Sequence, residues 1–143
     1  MSLCAVSAPS AILVVSALAA WGCGGAERAA KAEAAAIVRA VAIVRAAPNE
    51  AKAPLLPGLK GAVCSDPEVC ELKKVCVTAY ERHQSAIDLT AQVRARLDSG
   101  ADAGEAQKLV VLLVDAERKL AESRTLSDDC AEREGAVRRR FKL

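Results

Sequence analysis

Aromatic residues are almost missing from this chain: one Trp, one Tyr and one Phe among 143 residues. The chain is 52% apolar all the same, and much of that is alanine, which buries little surface per residue. A large globular core is therefore excluded, and long alanine-rich helices are favoured. There is one histidine, and there is no glycine-rich phosphate loop, no G-x-S-x-G elbow and no H-E-x-x-H. An enzyme is not expected, and neither is a cofactor. No charge of one sign dominates, because 20 Lys and Arg against 18 Asp and Glu leave +2. That balance gives no electrostatic bias toward nucleic acid. No useful stretch alternates with period two, so no sheet is expected.

What is present begins with an uncharged leader. Residues 5–20 read AVSAPSAILVVSALAA, and the first charged residue is Glu27. The densest apolar part, Ala11 to Ala20, fits the hydrophobic region of an export signal and is too short for a comfortable membrane span. Gly22 then precedes Cys23, which opens the run Cys23-Gly24-Gly25. The arrangement resembles the signal and lipobox of bacterial lipoproteins. Ala20 stands where that family usually has Leu, Trp21 is bulky, and the first ten residues carry no Lys or Arg. The pattern Ala17-Leu18-Ala19 also fits ordinary signal cleavage near Ala19. The resemblance implies a signal peptide over 1–22 and a lipid anchor on Cys23. Gly24 stands where the family's inner-membrane retention signal has Asp, which implies the outer membrane, facing the periplasm. Two or more acyl chains suffice for stable anchoring.

Six cysteines are present. Cys4 falls in the leader and Cys23 is the lipidation candidate, which leaves Cys64, Cys70, Cys76 and Cys130. An even number in an exported chain reads as two disulfides. A zinc site is not expected, because C-x5-C-x5-C lacks the short gaps of compact zinc motifs.

Behind the leader, residues 23–47 read as an alanine-rich helix ended by Pro48. The pentapeptide AIVRA occurs at Ala36 and again at Ala42, and a six-residue offset puts the copies on different faces. Ile37, Val41 and Val44 form one short apolar stripe. The helix fits either a solvated spacer or a docked element. Residues 48–63 hold three prolines and two glycines and read as a linker or extended loop. Leu55, Leu56 and Leu59 are candidates to tuck against the next unit.

The unit expected over 64–137 is a helical hairpin, and the fold class is all-α. Ser65 with Glu68 fits a capping box, while Asp66 with Pro67 fits an N-cap followed by proline in the first turn. Downstream, Val69, Leu72, Cys76, Ala79, His83, Ala86, Thr90, Val93 and Leu97 fall at three- and four-residue steps. Ser99-Gly100-Ala101-Asp102 breaks the pattern. A second seam follows through Ala106, Leu109, Leu113, Ala116, Leu120, Ser123, Ser127 and Cys130. Two such helices across a short turn fold back antiparallel, each arm about 45 Å long.

With Leu97 opposite Ala106, Cys130 lies level with residue 73, between Cys70 and Cys76. Cys76 shares the seam and Cys70 points away from it, so Cys76–Cys130 and Cys64–Cys70 are the expected bonds. Cys64–Cys76 with Cys70–Cys130 is the alternative if the lead-in loop folds back. Cys70–Cys76 is rejected, since an intact helix holds those α-carbons beyond bridging distance.

His83 lies on the seam as a half-buried side chain bonded across the hairpin, to Ser123 or Glu117, or as a ligand contact. Asp128 and Asp129 diverge on a helix and are expected in solvent. Residues 138–143, RRRFKL, form a basic tail that fits anionic headgroups or acidic cell-wall polymer. It also fits a helix end favoured by the macrodipole, or a frayed terminus. The function expected is a non-enzymatic envelope lipoprotein presenting a helical-hairpin surface to an envelope protein or cell-wall partner. The alternative is a periplasmic module that binds a small ligand or metal through His83. The seams also allow a homodimer.

Overall fold

The computed structural model describes residues 22–100 and 103–143. Apart from Gly22, the predicted leader lies outside the described residues. Five helices are described: α1 (Gly22–Ala46), α2 (Asn49–Lys52), α3 (Leu56–Gly61), α4 (Pro67–Asp98) and α5 (Ala103–Phe141). A 3-10 turn, Ala53–Leu55, joins α2 to α3. The all-α hairpin architecture is as expected, and both expected disulfides are present.

The helix α4 starts where the sequence signals it. Of the two capping schemes, Asp66 with Pro67 is the one formed. The Asp66 carboxylate accepts the amides of Glu68 and Val69 at 3.0 and 3.3 Å, while Pro67 needs no partner for a missing N–H. Ser65 turns outward instead, and its amide and hydroxyl donate to Glu33 of α1 at 2.6 and 2.8 Å. At the far end Gly100 takes φ +79°, a left-handed conformation that glycine adopts without a Cβ clash. The chain then returns as α5. Arg82 lies 3.4 Å from Glu122, and Lys119 donates to Ser85 Oγ at 2.8 Å, so the register agrees with the expectation to within a turn.

The two ends of the hairpin differ. At the base, α1 docks along α4 and α5 as a third layer. Ala34, Ile37, Val38, Val41 and Val44 are buried there with Val69, Leu72, Val75, Val137 and Phe141. The first AIVRA copy puts Ile37 and Val38 into this core, whereas the second buries Val44 and leaves Ile43 58% exposed. The predicted stripe of α1 is thus a docking face. Toward the tip only α4 and α5 remain, and Ala86, Val93, Leu109 and Ala116 are the buried seam residues. Thr90, Leu97, Ala106, Leu113 and Ser127 of the predicted seams are exposed.

Two segments depart from expectation. Residues 48–63 do not form an extended linker: they wind into α2, the 3-10 turn and α3. Pro54 and Pro57 sit in first turns, where proline is tolerated because no N–H is required. Leu56 and Leu59 are buried in the base, as the sequence suggested. Lys52 fastens this segment to α1, since its ammonium donates to the carbonyls of Val44 at 3.0 Å, Arg45 at 3.2 Å, and Ala47. Those are the open acceptors at a helix end.

Of the readings of residues 138–143, the basic helix end is the one formed, in place of a separate or frayed tail. The helix α5 runs on to Phe141, which is buried against the base. Lys142 then takes φ 52°, and the Leu143 amide returns to the Arg138 carbonyl at 3.1 Å, closing the helix end.

Candidate functional site

The cysteines are the best-defined chemical groups. Cys76 and Cys130 face each other in the seam, with α-carbons 4.9 Å apart, and are 0% and 2% exposed. This bond ties the two arms together at the level of α1. Cys64 and Cys70 are joined with α-carbons 5.4 Å apart, and both are only half-buried. That pair links the loop before α4 to its first turn. Cys23 falls within α1 by number, but its side chain lies outside the described residues.

His83 is half-buried, as expected, but its partner is not across the hairpin. Its Nε2 lies 3.1 Å from Asn49 Oδ1, and Gln84 donates to the Asn49 carbonyl at 3.1 Å. The reason is the helical turn of 49–52, which lays Asn49 over α4 in place of Ser123 or Glu117. Burial lowers the His83 pKa, and the Lys52 charge lowers it further. Among the described residues no group of three His, Cys, Asp or Glu side chains could hold a metal ion.

The carboxylates and guanidinium groups are largely engaged with one another. Glu134 is buried, with 6% of its side chain exposed, and meets Arg45 at 2.5 Å and Arg138 at 2.8 Å. Burial alone pushes its carboxyl up, but the two arginines outweigh burial and leave the pKa lowered. Tyr80 shares this cluster, and burial raises its pKa. Arg140 meets Asp66 at 2.7 Å and Glu68 at 2.5 Å. Hydrogen bonding to Arg140 lowers the Asp66 pKa, helped by the amides it caps. Glu134 through Arg45, and Arg140 through Asp66 and Glu68, therefore pin the end of α5 to α1 and to the start of α4. Asp129 pairs with Arg133 at 2.7 Å and Asp128 is exposed, so the two adjacent carboxylates do not act together.

The surface that sequence reasoning missed lies on α5. Val110, Val111, Leu113 and Val114 are 51, 60, 41 and 59% exposed. The signal was present in Leu109-Val110-Val111-Leu112-Leu113-Val114, six apolar residues in a row. A helix that buries one face cannot hide six successive positions. With α4 on one side and no third layer at this height, part of the run faces solvent. A shallow groove of about 230 Å³ between the arms, lined by Ile87, Thr90, Ala91, Arg94 and Leu120, adds to the open surface of this half.

Compared with family models, curated proteins and solved structures, the chain matches none.

Proposed function

We propose that the chain is a non-enzymatic, lipid-anchored protein of the bacterial cell envelope that presents its helical hairpin as an interaction surface. The observation that carries this reading is the closure of Cys64–Cys70 and Cys76–Cys130. Two closed disulfides call for an oxidising compartment, and they use every cysteine downstream of Cys23. Cys23 is left for another role, next to a leader that resembles a lipoprotein signal. No described helix is long and apolar enough to cross a membrane, and in this reading an acyl anchor supplies the attachment.

The exposed α5 patch is the contact surface in this reading, for another envelope protein or a second copy of the chain. Patches of this kind on a soluble surface mark interaction sites. The outer membrane facing the periplasm remains the proposed location, on the strength of Gly24.

The test is metabolic labelling with a fatty acid. Wild type is expected to take up label and Cys23→Ala to lose it. Equal labelling of both, or none of either, sinks the anchored reading.

A further inference from the structure

We propose that Cys64–Cys70 is a thiol–disulfide exchange site that reacts with an external dithiol while Cys76–Cys130 stays closed. Access is the first ground. Exchange requires a thiolate to reach a sulfur of the disulfide. Cys76 and Cys130 are 0% and 2% exposed, whereas Cys64 and Cys70 are both half-buried on the surface of the base.

Redundancy is the second ground. The loop around Cys64 is held in place without the sulfur bond. Lys73 donates to the Ala62 carbonyl at 2.8 Å, and Ser65 is bound twice by Glu33. Asp66 caps α4 while gripping Arg140 at 2.7 Å. Opening the bond leaves every one of these contacts intact. By contrast, Cys76–Cys130 joins residues 54 positions apart and has no substitute of that reach at the same height.

The third ground is the leaving group. Cys70 lies in the first turn of α4, and its amide makes the bond to the Asp66 carbonyl at 2.9 Å. The positive end of a helix favours a thiolate, and Cys70 lies in that first turn. The carboxylates of Asp66 and Glu68 oppose that effect, but both are paired with Arg140.

The step balances as follows. One thiolate of the dithiol attacks Sγ of Cys64. The Cys64–Cys70 bond breaks, and Sγ of Cys70 leaves with the electron pair and takes up a proton. The second thiol of the reagent, giving its proton to solvent, attacks the mixed disulfide. Cys64 leaves as a thiolate and is protonated. The protein disulfide gains two electrons and two protons, and the dithiol becomes a disulfide.

The site does not depend on Cys23 or on an anchor, so its failure and failure of the proposed function are separable. The experiment treats the folded full chain with dithiothreitol, quenches with iodoacetamide at intervals, and maps alkylated cysteines by mass. Cys64 and Cys70 are expected to open together at least about tenfold faster than Cys76 and Cys130, as exposed disulfides do. Helical circular dichroism should not change while they do so. Equal rates, earlier opening of Cys76–Cys130, or loss of helix with the first bond overturns the proposal. With glutathione in place of dithiothreitol, the mixed disulfide is expected on Cys64; an adduct on Cys70 overturns the assigned direction of attack. Cys64→Ser with Cys70→Ser should keep a cooperative melt, and failure of that variant to fold overturns the redundancy.

Discussion

At its base the hairpin is a three-layer object: α1 fills the groove between α4 and α5, and Ile37, Leu59, Leu72, Val69 and Val137 are essentially without exposure. At its tip the same two helices stand alone, and Val111 and Val114 of α5 are more than half exposed. Both halves have amphipathic helices with the same residue spacing. The difference is whether a third helix is there to cover what a helix pair leaves open. A pair buries one stripe per helix, so alanine at Ala86 and Ala116 suffices near the tip, while branched side chains are consumed where α1 lies. Stability should therefore be concentrated at one end, and local opening at the other.

The strongest challenge to that division is removal of the seam disulfide. Cys76→Ala with Cys130→Ala is expected to destabilise the fold by about 4 kcal/mol on chain-entropy grounds, read as a lower urea midpoint. Losing the short Cys64–Cys70 loop should remove about 2 kcal/mol on the same scale. Equal costs would mean that the two bonds do not divide into brace and accessory.

Truncating the core sharpens the comparison. Leu72→Ala at the base is expected to cost about 3 kcal/mol, because the surrounding layers cannot collapse into the cavity. Val93→Ala, buried between only two helices, should cost about 1 kcal/mol, since the pair can close up. Thermal unfolding of the two variants measures the gap, and reversal of their order would refute the layered picture.

Glu134 tests the polar side of the base. Glu134→Gln should lose about 2 kcal/mol at neutral pH, discounted from a fully buried pair because Arg45 is half exposed. The folded-state pKa of Glu134 is lowered, so its contribution is complete above the unfolded value near 4.5. It fades as pH falls through the lower folded value. Urea titrations of both proteins at neutral and acid pH should therefore converge at the acid end.

The smallest expected effect belongs to His83. Its pKa is lowered in the folded state, so the unfolded chain binds the proton first as pH drops below 6.5. Wild type should lose a little stability across that range. His83→Gln should show no such slope, and identical slopes would show that burial and the Lys52 charge leave the ring's protonation unaffected.

How far the sequence foretold this structure depends on which physics decides each segment. The seams of α4 and α5 follow from helical periodicity, and orientation on that helix was enough to separate Cys76 from Cys70 as the partner of Cys130. Lys52 was not foreseeable in the same way. A buried lysine looks unfavourable until the three carbonyls at the end of α1 are brought to it, and that arrangement is tertiary. The prolines of 48–63 suggested breaks, yet Pro54 and Pro57 fall in first turns, and only the folded path distinguishes those positions. Between a basic helix end and a loose terminus for Arg140 and Phe141 the sequence did not choose, because Asp66 lies 74 residues from Arg140 and the core that buries Phe141 is drawn largely from α1 and α4. The exposed α5 patch was legible in six consecutive apolar letters and needed only the geometry of a single helix.

Lys31 reaches from α1 to the carbonyl of Lys142, 3.4 Å away, so the chain's last residues sit beside the early part of its first described helix. A reporter fused after Leu143 would crowd the same end as anything held at Cys23. The bend at Gly100 sits at the opposite pole, and a label carried there would travel with the tip while leaving the three-helix end untouched.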